Sequence, residues 1–114
     1  MTDCLFCKIA SGEIPTNYVY EDERVVAFND IDPQAPVHIL IIPKDHIASA
    51  LELCDENADI VSHIFKVAGK IAREKGFDNE GFRVVNNCGR DGGQTVGHLH
   101  FHLLAGRYLQ WPPG

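Results

Sequence analysis

No stretch of the sequence approaches the roughly 20 apolar residues of a membrane span. Met1-Thr2-Asp3-Cys4 does not open a secretory signal either, so neither membrane nor export is expected. Basic residues are few: 10 Lys and Arg stand against 16 Asp and Glu, for a net charge of −6. That balance argues against a grip on DNA or RNA and against an anionic membrane surface. A small phosphorylated ligand stays open, because local backbone donors can overrule a global charge. Repeats, low-complexity tracts and charge blocks are missing too, so no linker is expected. The 114 residues then form a single domain, 1–114.

Cysteine is limited to positions 4, 7, 54 and 88, and 45% apolar residues suffice for a core without disulfides. Reduced thiols in a cytoplasmic protein are the expectation. Leu5 to Ala10 reads as a short helix, closed by Gly12 and Glu13-Ile14-Pro15. Tyr18 to Tyr20 and Arg24 to Phe28 read as strands about a polar turn, and Val37 to Ile42 as a β-branched strand stopped by Pro43. A long helix should begin near Asp55. Its apolar stripe runs through Ile60, Ile64, Val67 and Ile71, and Gly76 is the C′ residue. Phe82 to Asn86 is a strand, Asn87 to Gly93 a glycine-rich loop and Val96 to Leu104 the last strand. The predicted class is α+β, with a mainly antiparallel sheet of about five strands, one long helix and a short N-terminal helix.

His98-Leu99-His100-Phe101-His102-Leu103-Leu104 alternates imidazole with hydrophobe. On a strand, that period of two puts the imidazoles on one face and Leu99, Phe101 and Leu103 on the other. A core would not choose three imidazoles in a row, so the face borders solvent, a metal or a ligand. Histidines at i and i+2 can share a zinc ion. Alternatively, one histidine is a nucleophile or acid–base group positioned by its neighbours. The preceding loop, with Gly92-Gly93 and the side-chain donors of Gln94 and Thr95, can approach an anion, which favours phosphoryl chemistry.

Gly93-Gln94-Thr95-Val96-Gly97-His98-Leu99-His100-Phe101-His102 resembles the signature of the histidine-triad (HIT) superfamily. Gly12-Glu13-Ile14-Pro15, Tyr20-Glu21-Asp22, Ala35-Pro36-Val37-His38 and Trp111-Pro112-Pro113-Gly114 are similar to its Hint branch. The resemblance implies a nucleotide-binding homodimer that hydrolyses nucleoside 5′-phosphoramidates through a nucleotidyl-histidine. It implies His100 as nucleophile, His102 and the Gly93–Thr95 segment on phosphate, and His38 supporting the triad. It further implies Asp30 on the ribose, with Leu5, Phe6, Ile9, Phe28 and Ile31 around the base. The tail from Tyr108 to Gly114 would act on the partner's active site. The other readings are a regulatory nucleotide- or protein-binding module with little turnover, and a dinucleoside polyphosphate hydrolase.

Departures from the branch concern three positions. Gly97 stands where relatives carry a large aromatic, and Asn29 where many have another histidine. The phosphate-binding asparagine falls on Asn87 counted back from the triad, or on Asn86 counted forward; Asn87 is the reading taken. Cys4-x-x-Cys7 matches half of a zinc site, with His46 and His98 as candidates for the other half. Many prokaryotic relatives carry the same set and resemble a Cys₂His₂ site, which implies structural Zn²⁺ and no organic cofactor. Cys54 and Cys88 read as small buried hydrophobes.

Overall fold

The β-branched and aromatic runs pair into one sheet in a computed structural model that describes residues 3–114. Met1 and Thr2, part of the single-domain expectation, lie outside the described residues. Helix α1 (Leu5–Ser11) precedes strands β1 (Tyr18–Glu21), β2 (Val25–Asn29) and β3 (Val37–Pro43). Helix α2 (Asp59–Lys75), strand β4 (Arg83–Asn86), one-turn helix α3 (Gly89–Gly92) and strand β5 (Phe101–Ala105) follow. The strands lie in the order β1-β2-β3-β5-β4, each pair antiparallel. This is the α+β architecture expected from the sequence.

The two-residue period of the strands sorts their side chains between two helices. Val25, Ala27, Ile39, Ile41, Phe101 and Leu103 pack with the α2 stripe of Ile60, Ile64, Val67 and Ile71. Val26, Phe28, Leu40 and Ile42 pack with Phe6, Ile9 and Ala10 of α1. Each fully buried Leu, Ile or Phe contributes about 1.5–3 kcal/mol, so both layers are firmly held. Gly76 ends α2 at φ 82°, and its N–H donates to the Ala72 carbonyl. That left-handed cap is the role its position predicts.

Three boundaries differ from expectation. Helix α2 begins at Asp59 instead of near Asp55, because the Cys54 N–H donates to Asn57 Oδ1 and the Ala58 N–H to the Cys54 carbonyl, forming a separate turn. The last strand begins at Phe101 instead of Val96, since its ladders with β3 and β4 begin there. Before it, the Leu99 N–H donates instead to the Ile47 carbonyl in a loop. The glycine-rich loop contains α3, whose i→i+3 closure onto Gly93 no local apolar period announces. Cys54 is exposed, which corrects the expectation that it is buried, and Cys88 is half-buried.

Candidate functional site

Alternation along 98–104 survives although His98 and His100 precede the strand. Leu99, Phe101 and Leu103 enter the α2 layer, while His100 and His102 line a cleft of about 320 Å³ on the α1 side. Phe6 and Ile9 of α1, with Phe28 and Leu40 from the sheet, form its apolar wall. Asn29, Asp30 and Ile31 close one side; Thr95 and Val96 close another. Leu40 and Val96 were not expected here. Ile31, fully exposed, and Leu5, half-exposed, line its rim.

Proton positions follow from the hydrogen bonds. His100 Nδ1 lies 2.7 Å from the His98 carbonyl and must donate to it. The lone pair of His100 therefore sits on Nε2, on a ring packed edge-on to Phe6 at 5.1 Å. The Gln34 N–H donates to His38 Nδ1 at 3.0 Å, which places the His38 proton on Nε2. That Nε2 lies 2.9 Å from His102 Nδ1 and 3.4 Å from Asp30 Oδ2. Its N–H donates to His102 Nδ1, so the remaining proton of His102 is on Nε2, on a ring that lines the cleft. Burial, then the charges of His100 and His38, bring the His102 pKa down to about 4 against the pull of Asp30. At neutral pH, His102 is therefore an uncharged donor, and it stands beside Nε2 of the His100 ring.

Register explains this geometry. Leu40 pairs with His102 across β3 and β5, and His38 lies two residues along β3, diagonal to His102 on the same face. Asp30 Oδ1 accepts the Asp32 N–H at 2.8 Å, and Oδ2 faces His38. The carboxylate thus caps its own turn while keeping lone pairs for a ligand diol. Asp30, His38 and His102 also stand close enough to resemble a metal-ligand set. The Gln34 donor opposes that use, because it commits the inner His38 nitrogen as acceptor and leaves a proton on the other.

Other expected residues have different duties. Gln94 braces its loop: its Nε2 donates to the Ala48 and Val96 carbonyls, and its Oε1 accepts the Gly89 N–H. Gly93 caps α3, and neither it nor Gln94 lines the cleft. Asn87 is not a lining residue either; the Asn86 amide donates to the His100 carbonyl at 2.9 Å. A Cβ on Gly97 would meet nothing within 4 Å, so the space of the missing aromatic is open.

His98 turns away from the cleft. Its Nε2 donates to the Pro43 carbonyl at 2.9 Å, which leaves the Nδ1 lone pair for a second cluster. That Nδ1 lies 3.3 Å from Cys4 Sγ, 3.5 Å from Cys7 Sγ and 3.2 Å from His46 Nδ1. Cys7 Sγ is 3.2 Å from His46 Nδ1. Ligands about 2.0–2.3 Å from a tetrahedral ion stand about 3.3–3.8 Å from one another, so this two-thiol, two-imidazole set fits zinc. Burial lowers the His98 pKa against the Pro43 bond, with His46 and His100 lowering it further, which keeps the ring neutral. Burial, aided by the Cys4 hydrogen bond and charge, pushes the Cys7 thiol up to about 11. A cation would have to displace that proton. Among the described residues, no ligand group unites His98, His100 and His102, so the three-histidine zinc arrangement is not formed.

Comparisons with known proteins identify the family. A family model described as "HIT domain" matches residues 11–109. An uncharacterized HIT-like protein of Synechococcus elongatus is 52% identical over 112 residues, covering 98% of this chain and 97% of its own. A protein of Brassica juncea named "14 kDa zinc-binding protein" is 47% identical over 114 residues, covering 98% and 100%. Among solved structures, a HIT family hydrolase from Legionella pneumophila superposes with a TM-score of 0.95 at 50% identity, covering 98% and 100%. The family model spans most of the chain, and relatives about half identical to it extend over nearly its whole length, so the chain belongs to the HIT domain family.

Proposed function

We propose that the protein is a hydrolase of the Hint branch that cleaves the P–N bond of nucleoside 5′-phosphoramidates, with AMP-like nucleotides as ligands. The observation that carries the reading is the His100 Nδ1–H bond to the His98 carbonyl, which fixes the Nε2 lone pair of a cleft-lining ring. His100 Nε2 attacks the α-phosphorus and forms a P–N bond to the ring. The original P–N bond breaks, and the amine leaves with its electron pair and one proton taken up from solvent, which the water of the next step gives back. Water then cleaves the phosphoryl-histidine bond, releasing the nucleotide and restoring His100. His102 Nε2–H donates to a phosphoryl oxygen throughout, aided by Thr95 at the cleft wall. Asp30 takes the ribose hydroxyls, and Phe6, Ile9 and Phe28 hold the base.

Cys4, Cys7, His46 and His98 hold structural zinc on this reading; when bound, the ion supplies a rigid tie between α1 and the triad segment. The chain acts as a cytoplasmic homodimer of a single domain. Strand β4 is a sheet edge, and Phe65, Phe82 and Trp111 are exposed large side chains that a second copy would cover. Single-turnover labelling with adenosine 5′-phosphoramidate tests the chemistry. Wild type should accumulate a nucleotidyl adduct, and His100→Ala should form none while still binding AMP. His102→Ala should lose roughly 10²–10⁴ in rate, less than the nucleophile variant. Equal turnover in wild type and His100→Ala refutes the covalent route. Wild-type binding without turnover would favour the regulatory module instead.

A further inference from the structure

The segment after β5 reaches back to the loop that sets the His38 proton. Gly106 adopts φ +95°, and a Cβ there would stand 2.7 Å from Pro36 Cβ, so only a bare backbone can lie this close to the loop. The next residue, Arg107, aims two donors at one atom: Nη2 and Nε lie 2.9 Å and 3.3 Å from the Gln34 carbonyl oxygen. Its Nη1 donates to the Tyr108 carbonyl at 3.2 Å, which ties the guanidinium to its own segment. Gln34 is therefore held at both ends of its backbone, with its carbonyl on Arg107 and its N–H on His38 Nδ1. Its side-chain amide donates to the Asp32 carbonyl at 2.9 Å, bracing the same turn.

We propose that Arg107 is a positioning residue: by clamping the Gln34 carbonyl it keeps the Gln34 N–H on His38 Nδ1, and so keeps His102 in the tautomer that presents Nε2–H to the cleft. The chain runs from guanidinium to peptide, from peptide to His38 and from His38 to His102. Without the clamp, Gln34 turns away and the His38 proton moves to Nδ1. His38 Nε2 then accepts from His102 Nδ1–H, and His102 meets the phosphoryl group with a lone pair. Asp30 Oδ2 opposes this change, because it faces the His38 Nε2 proton at 3.4 Å. Loss of Arg107 should therefore weaken the preference without abolishing it. Since a donor to phosphoryl oxygen matters most where charge develops, the effect belongs in kcat.

This inference rests on the phosphoramidase reading for its kinetic part only. The test compares wild type, Arg107→Met and Arg107→Lys by steady-state turnover of adenosine 5′-phosphoramidate and by ¹⁵N–¹H imidazole correlation of the folded proteins. Arg107→Met should lower kcat about tenfold with KM within about twofold, and shift the His102 nitrogens toward the Nδ1–H tautomer. Arg107→Lys, which keeps a charged donor, should recover most of both. Unchanged His102 nitrogen signals in Arg107→Met overturn the proposal, and so does a lowered thermal midpoint with kcat intact. If wild type turns over no phosphoramidate, the imidazole spectra still decide the relay while the reaction assignment fails alone.

Discussion

Replacing Phe6 with alanine should undock α1 and loosen the nucleophile together. Phe6 is 5% exposed and is the largest of the three residues α1 buries, with Ile9 and Ala10. Its ring meets Phe28 at 5.8 Å, His98 at 5.9 Å and His100 at 5.1 Å, all edge-on. Buried Phe→Ala changes cost about 3–5 kcal/mol, and each edge-on pair contributes about 0.5–1.5 kcal/mol of that kind of loss. Because the site borders a cleft that water can fill, the lower end applies, about 3 kcal/mol. In a domain of this size that lowers Tm by about 12 °C. Phe6→Leu keeps most of the apolar volume and loses mainly the ring geometry, which predicts about 1 kcal/mol. The assays are denaturant unfolding and AMP titration, where Phe6→Ala should raise Kd about tenfold and Phe6→Leu much less. A loss under about 1 kcal/mol for Phe6→Ala, or equal damage from both variants, would mean that α1 does not form the cleft wall in solution.

Purified without chelator, the protein should carry one zinc per chain by elemental analysis, and Cys7→Ser should lose it together with thermal stability; metal-free wild type of full stability contradicts the cluster's role. Stability should fall with acid in a defined window. His102 has its pKa lowered to about 4 in the folded protein, against about 6.5 unfolded, so the unfolded chain binds the proton first and stability declines as the pH falls from 6.5 to 4. Unfolding titrations on His102→Gln should show a shallower decline, and identical curves reject the neutral, partly buried ring. A further decline follows below pH 4. Burial would raise the Asp22 pKa, but the Arg24 and Val25 N–H groups, with His63 and Tyr20, outweigh it and hold the carboxyl near 2. Asp22→Asn should remove that lower step.

Much of the architecture follows from side-chain period alone. Alternation along β2, β3 and 98–104 determines which residues face α2 and which face α1, because a strand cannot rotate one side chain without flipping them all. The 3.6-residue stripe of α2 and the glycine that closes it are equally local. The Cys4-x-x-Cys7 spacing is local too, and it brings both thiols to one helical turn, where the Cys7 N–H donates to Cys4 Sγ. What only the tertiary structure decided is where protons and partners go. Gln94 could have been a phosphate donor by type, but carbonyls at 48 and 96 take its amide. Asn86 meets the triad backbone and Asn87 does not, a choice made by the β4–β5 register. His98 left the other two histidines because Pro43, at the end of β3, accepts its Nε2–H. Gln34 and Arg107 carry no motif at all. Their hydrogen bonds join positions 73 residues apart, and contacts between distant segments leave no period for the sequence to display.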